Sequence, residues 1–306
     1  MNDRRTILVT GAAGLIGQRV AEMLMSEGRP VLATDRAASP DGTMKIELAD
    51  LTDAAALDGL VGREIAGIIH CGAISGPMLG RDDPAGTIAI NVQGTVNLLA
   101  CGRRHGIGRF VHCSSVSAYG ATPSGLALVS PSAPLSAIDI YGASKAAADI
   151  LVRTYASDYG LDAVTLRIGW VYGPRRRTRS LLHRLIRDAL DSRPTRVEHN
   201  GQYRVQMIHV DDVARGLIAA FNQPALTARA FNLTAGTRVA MIELADAVRR
   251  QLPAAEISFT PGVIYTDVEQ ALFDIAATFN SLDWSPRVTL DEGVAGYVEW
   301  LRTHPF

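Results

Sequence analysis

Tyr141 and Lys145 stand four residues apart in the pentapeptide YGASK. On a helix, that spacing sets phenol and ammonium side by side on one face. A free tyrosine ionises near pH ~10, far too high for a base at neutral pH. A neighbouring ammonium stabilises the phenolate, and an oxidised nicotinamide adds a second positive charge. The same pair could also decorate the surface of an amphipathic helix. The stretch FVHCSSVSAYG, residues 110–120, favours the chemical reading, because an apolar run there ends in serines. In a doubly wound sheet, ligands bind at the carboxyl ends of the strands. Ser115 could hydrogen-bond a reacting oxygen and share its proton with Tyr141, with Ser114 and Ser117 as the neighbours to weigh against it.

These groups need elements to position them, and the first is announced by VTGAAGLIGQRVAEML, residues 9–24. Gly11, Gly14 and Gly17 sit three apart, after the apolar run 7–9 and before a helical pattern in which Ile16, Val20, Met23 and Leu24 share a face. Gly28 and Pro30 stop that helix. Bare backbone at a helix N-terminus lets N–H groups and the helix dipole meet a phosphate. The spacing is GxxGxxG and not the usual GxGxxG, and a plain tight turn would also explain it. A second strand, 31–34, ends at Asp35, 18 residues past Gly17. A carboxylate there can accept from both hydroxyls of an adenosine ribose and repels a 2′-phosphate, which favours NAD; Arg36 beside it is the one counter-signal.

Strand patterns at 44–48, 67–70, 109–114 and 163–168 alternate with helical ones at 54–61, 91–102 and 141–159. Such alternation predicts an α/β Rossmann fold, a doubly wound parallel sheet with helices on both faces. The Ser/Pro-rich stretch 123–134 is expected as a mobile flap beside the site. After Gly173-Pro174 the rhythm changes. The expected organisation is an NAD-binding domain over 1–173, rejoined by 207–235, with a smaller interleaved C-terminal substrate-binding domain from 174–206 and 236–306.

With 47% hydrophobic and 20% charged residues, the 306-residue chain has the composition of an ordinary globular protein with ample core. A net charge of −1 argues against nucleic acid or a membrane surface as partner, the cluster Arg175–Arg177 with Arg179 being the local exception. No stretch approaches the roughly 18 apolar residues of a membrane span, and the first strand begins too early to leave room for a signal peptide. Cys71, Cys101 and Cys113 lack metal-ligand spacing and read as reduced thiols of a cytoplasmic protein. His209, Asp211 and Asp212 could suggest a metal, but the better reading has the aspartates capping the next helix, and no metal is expected.

In order and spacing the motifs resemble the extended short-chain dehydrogenase/reductases of the NAD-dependent epimerase/dehydratase type, from Thr6 to about Leu301. The matching pieces are TGAAGLIG, Asp35, Asp50-Leu51, NVQGT from Asn91, SSVSAYG, YGASK, LRIGWVYGP and IHVDDVARG. The resemblance implies that Tyr141 is the acid/base, that Lys145 lowers its pKa and holds the nicotinamide ribose, and that Ser115 is the catalytic serine. It further implies that the glycines with Leu15 and Ile16, Asp50, Leu51, the Cys71-Gly72-Ala73 turn, Asn91 and Ile168 line the cofactor. A homodimer paired through the helices around 91–102 and 141–159 is expected, with Ala146, Ala147, Ala148 and Ala156 letting them approach.

Departures from the family pattern bear on the reaction. Val116-Ser117 follow Ser115, where the family's dehydratases carry Asp-Glu. Trp170 replaces the asparagine, and Val205 the arginine, of the sugar-nucleotide enzymes, and their late RPGD arginine is missing after Phe259. A diphosphate would lose three partners. The loop HCGAISGP, from His70, is similar to that of uronate dehydrogenases, where the serine, here Ser75, contacts a sugar acid. Arg179, twelve residues past Arg167, falls where those enzymes hold the substrate carboxylate, although the arginine run would also suit a solvated loop and Arg176 or Arg177 could take the role. The expectation is therefore an NAD-dependent oxidoreductase acting on a hydroxyl of a small sugar or sugar acid. The alternatives are a nucleotide-sugar 4-epimerase using the same triad and a non-catalytic NAD-binding protein.

Overall fold

The computed structural model describes residues 5–62, 65–123, 125–178, 180–226, 228–262 and 270–304. The first apolar run becomes β1 (Thr6–Thr10), and the glycine turn leads from it into α1 (Leu15–Ser26). Gly11 has φ of 68°, and a side chain at Gly17 would run into the Gly11 carbonyl, so the turn closes only with glycine at both places. β2 (Val31–Asp35), the two-residue β3 (Glu47–Leu48), α2 (Ala54–Val61) and β4 (Ile65–His70) follow. The strand expected over 44–48 is thus reduced to its last two residues. Two short helices, α3 (Pro77–Asp82) and α4 (Pro84–Ile88), and a π turn at Ala89–Gln93 precede α5 (Gly94–His105). β5 (Arg109–Ser115) runs into a 3-10 turn, Val116–Tyr119, then β6 (Leu128–Val129) and α6 (Ile140–Tyr159).

The chain continues through β7 (Ala163–Ile168), β8 (Trp170–Tyr172), α7 (Leu181–Leu190), β9 (Thr195–Val197), β10 (Arg204–Val205), β11 (Met207–His209) and α8 (Val210–Asn222). It closes with β12 (Ala230–Leu233), β13 (Val239–Ala240), α9 (Met241–Gln251), β14 (Ile257–Phe259), β15 (Leu272–Phe273), α10 (Ala276–Leu282) and α11 (Leu290–Thr303). Seven parallel strands form the central sheet in the order β12-β7-β5-β4-β1-β2-β3. The order reverses at β1, which opens a crevice at the carboxyl ends of β1 and β4. The doubly wound parallel sheet is the fold that the alternation of patterns predicts.

Apolar side chains cover both faces of the sheet, with Val20, Leu24, Val213 and Leu217 in one layer and Leu57, Leu98, Leu99 and Val152 in the other. A separate cluster unites α7, α9 and α11 through Leu185, Leu244, Val248, Tyr297 and Leu301, and Val197 and Val205 join it from the short strands.

Two local expectations change. The Ser/Pro-rich stretch is tethered in its second half, where β6 pairs with β15 and the Asn232 amide donates to Val129 O at 2.9 Å. Asp211 and Asp212 do not cap α8. His209 does so, its ring accepting the Asp211 amide at 3.2 Å. Asp212 instead accepts the amides of Arg287 and Val288 at 2.8 and 3.1 Å, latching the segment before α11.

Candidate active site

The carboxyl ends of β1, β4, β5 and β7 bring Thr10, His70, Ser115 and Ile168 to one edge of the sheet. α6 lies against this edge. Asp139 caps it by accepting the Gly142 amide at 2.7 Å. A Cβ on Gly142 would stand 2.6 Å from the Ser117 carbonyl, so only glycine lets the helix settle on the serine turn. The structure thereby brings Tyr141, Lys145 and Ser115 into one buried region, 8%, 5% and 7% exposed respectively.

Each member is fixed locally. Lys145 Nζ donates to the Cys113 carbonyl of β5 at 2.8 Å. Ser115 Oγ accepts the Ser117 amide at 3.1 Å and caps the 3-10 turn. Ser114, on the opposite face of the strand, is buried with its Oγ unpartnered among the described residues. Ser144 Oγ donates to the Tyr141 carbonyl at 2.7 Å and accepts Asn91 Nδ2 at 2.9 Å. The same Asn91 amide exchanges hydrogen bonds with both backbone groups of Ile74, at 2.8 and 3.0 Å, so it joins the loop after β4 to α6.

Two histidines lie behind Lys145. His70 and His112 face each other across β4 and β5 with ring centroids 5.6 Å apart. Burial, and then the Lys145 charge, push His70 down to about 3 and His112 well below its ordinary value, so both are neutral at physiological pH. His70 joins Thr10 Oγ1 at 2.7 Å to Thr95 Oγ1 at 3.0 Å. Cys71 and Cys113 are free thiols with sulfurs 3.2 Å apart. The hydrogen bond between them, and burial, push the Cys71 thiol up.

The crevice fits a dinucleotide. No side chain caps α1 at Gly14, which leaves its first-turn amides to an anion. Asp35 accepts the Ala13 amide at 3.0 Å and the Ala37 amide at 3.1 Å, so it holds the glycine turn while standing at the end of β2. Thr10 receives the amides of Cys71 and Gly72, both at 3.2 Å, which draws that turn onto β1. Asp50 closes its own turn on Thr52, and Leu51 takes Asn97 Nδ2 on its carbonyl at 2.9 Å.

On the substrate side the expected residues separate. Ser75 is exposed in the loop after β4. Arg179 lies outside the described residues. Within the arginine run, Arg175 pairs with Glu22 at 2.5 Å and Asp41 at 3.5 Å, Arg177 is exposed, and Arg176 is drawn inward. Trp170, 43% exposed, borders a small recess with Val116, Arg204 and Gln206. His70, His112, Ser144, Asp149 and Arg167 were not legible as parts of the site. A polar residue inside an otherwise apolar strand or helix face was the one signal for them.

Residues 7–234 match the model of the NAD dependent epimerase/dehydratase family. The chain belongs to this family. It is 30% identical to the UDP-glucuronate 4-epimerase of Thermodesulfobacterium geofontis (strain OPF15), over 96% of this chain and 95% of that protein. It is 30% identical to the dTDP-glucose 4,6-dehydratase of Streptomyces niveus, over 97% and 92%. Among solved structures, MoeE5 in complex with UDP-glucuronic acid and NAD superposes with a TM-score of 0.87 at 27% identity, covering 98% of this chain and 99% of that one. The expected cofactor, NAD, is the one the family's description carries.

Proposed function

We propose that this chain is an NAD-dependent nucleotide-sugar 4-epimerase working through Ser115, Tyr141 and Lys145. One observation carries the reading. Tyr141 and Lys145 lie buried one turn apart on α6, against the strand that ends in Ser115, in a chain aligned over 96% of its length with a UDP-glucuronate 4-epimerase.

NAD, when bound, supplies the hydride acceptor for C4 of the sugar and returns the hydride. Tyr141 takes the C4 hydroxyl proton as the C–H bond breaks, and gives a proton back when the 4-keto sugar, turned over, is reduced on its other face. Ser115 orients the oxygen through its hydroxyl. Lys145, tethered to the Cys113 carbonyl, is held one helical turn from the phenol of Tyr141. The neutral rings of His70 and His112 add no competing charge behind it. The first-turn amides of α1 and the Asp35 carboxylate suit the diphosphate and ribose of an unphosphorylated dinucleotide.

Val116 and Ser117, in place of an acidic pair, weigh against dehydration. The missing diphosphate partners, which favoured a small substrate in the sequence, weigh less once the cleft is seen. Val205 belongs to the apolar cluster and borders the recess, and Arg204 beside it on β10 lines the same recess with Trp170, 3.5 Å from Glu243. A cation therefore stands one residue from the lost one. The relatives named above are an epimerase and a dehydratase, which supports the nucleotide-sugar reading over the sugar-acid dehydrogenase.

The test incubates the protein with NAD and either UDP-glucuronate or UDP-glucose. Inversion at C4, read by proton NMR without a net rise in NADH absorbance, is expected. Net NADH from a free sugar acid, with no inverted nucleotide sugar, would replace this reading with the dehydrogenase one.

A further inference from the structure

We propose that Arg175 is the pin of a clasp on the cofactor crevice. By bridging Glu22 and Asp41 it ties the strap after β8 to α1 and to the loop after β2, and the dinucleotide enters and leaves only when that bridge opens. The inference goes beyond the epimerase reading and rests on the NAD site alone.

The loop after β2 brackets one end of the crevice. It starts at Asp35, whose carboxylate accepts the Ala37 amide at 3.1 Å and suits the adenosine ribose. It comes back to α1 at Asp41, which accepts Gln18 Nε2 at 3.0 Å. Gln18 is buried in the first turn of that helix, where the uncapped amides suit the diphosphate. Asp41 also shapes the loop from within, accepting Ser39 Oγ at 2.9 Å and Thr43 Oγ1 at 2.7 Å. The loop thus runs from the ribose position to the diphosphate position.

The strap, residues 173–178, comes from the far side of the sheet. It is anchored from behind, where the Tyr297 hydroxyl of α11 donates to the Arg176 carbonyl at 3.3 Å. Arg175 sets Nη1 2.5 Å from Glu22, one turn past Gln18 on α1, and Nε 3.5 Å from Asp41. Arg19 also comes within 3.5 Å of Glu22, but its fork is turned to Asp211 at 2.7 and 3.2 Å. One guanidinium therefore joins three elements that the backbone leaves apart.

Two features make this a bridge that opens. Arg175, Glu22 and Asp41 are all partly exposed, so water and salt reach the contact. Arg175 also has φ of 72°, a left-handed conformation that a residue other than glycine keeps only while its surroundings hold it there. Release of the side chain removes that hold, and the strap relaxes away from the loop.

The experiment loads the protein with NADH, chases it with excess NAD and follows release by stopped-flow fluorescence, with NADH entry measured in the same way. Arg175→Asn removes the cation and tolerates the left-handed backbone. It should speed release by roughly three- to thirtyfold, the range for two partly exposed ion pairs. Entry should also quicken, so that Kd changes less than either rate. About 0.5 M sodium chloride should speed release from the wild type more than from the variant. Glu22→Gln should have a smaller effect of the same kind, and the double variant should release no faster than Arg175→Asn alone. Circular dichroism reports folding; were Arg175→Asn to fail it, Glu22→Gln and the salt dependence of the wild type decide. Unchanged release, faster release with entry unaltered, or a wild type that does not bind NADH overturns the inference. C4 inversion is scored separately. Gated release without inversion removes the epimerase reading alone, and inversion with ungated release removes the clasp alone.

Discussion

Asp149 and Arg167 meet inside the protein through two parallel hydrogen bonds of 2.9 Å, with side chains 0% and 2% exposed. The pair ties α6, which carries Tyr141 and Lys145, to β7. The same guanidinium reaches the Tyr119 hydroxyl at 2.7 Å and the Pro131 carbonyl at 2.6 Å, and so fastens the segment that follows the serine turn. Breaking one side of a buried pair leaves the other charge uncompensated. Asp149→Asn should cost about 3–5 kcal/mol of stability, read from urea unfolding. Burial pushes the Asp149 carboxyl up, but the hydrogen bonds and charge of Arg167 leave it below the ordinary carboxylate range. Its contribution is then complete above the unfolded value, about 3.9, and is lost only as pH falls through the lower folded value.

The buried histidines give the same loss of stability on acidification, but at milder pH. His70 is pushed down to about 3 and His112 is also lowered, while in the unfolded chain each takes a proton near pH ~6.5. Between those values the unfolded state binds more protons, so stability falls as the solution is acidified below the unfolded value. From pH ~7.5 to ~5.5 the two together should lower the unfolding free energy by about 2–3 kcal/mol, measured by denaturant titration at each pH. A flat profile would mean that both rings take up protons in the folded protein, and half the drop that one does.

Tyr141→Phe should leave NAD affinity close to wild type and reduce turnover by about a hundredfold or more. Lys145→Met should weaken both, since its ammonium serves the phenolate and, by resemblance to the family, the nicotinamide ribose. Calorimetry for the cofactor and single-turnover kinetics separate the two effects. Full turnover in the phenylalanine variant would take Tyr141 out of the mechanism.

NAD should bind more tightly than NADP. Asp35→Asn tests the cause, because the amide oxygen can still accept from Ala13, at the loss of the exposed Ala37 hydrogen bond, while the charge that repels a 2′-phosphate is gone. The gap between the cofactors should narrow in that variant. A wild type preferring NADP would move the role to Arg36.

A homodimer built on α5 and α6 is the expected assembly, but not through all the alanines singled out in the sequence. Ala146 and Ala148 are buried within the protomer, 9% and 0% exposed, whereas Ala143 and Ile150 lie exposed on α6. Ile150→Glu should shift the mass seen by light scattering from dimer to monomer at micromolar concentration. A wild type that is already monomeric there would remove the expectation.

Local patterns were enough for the glycine turn, the alternation of strands and helices, Asp35 at the end of β2, and Tyr141 one turn from Lys145. Each is fixed by backbone sterics or by the period of apolar residues, both of which act over a few positions. The sequence could not decide between partners far apart in the chain. Sheet register sets His70 beside His112, and helix docking sets Asp149, 18 residues before Arg167, against it. The arginine run shows the limit most plainly. Arg175, Arg176 and Arg177 are chemically alike and adjacent, yet one is clamped by Glu22 and Asp41, one donates to the Val171 carbonyl and one is exposed. Only the packing of β8 against its neighbours, with Arg175 at φ of 72°, assigns them to those places.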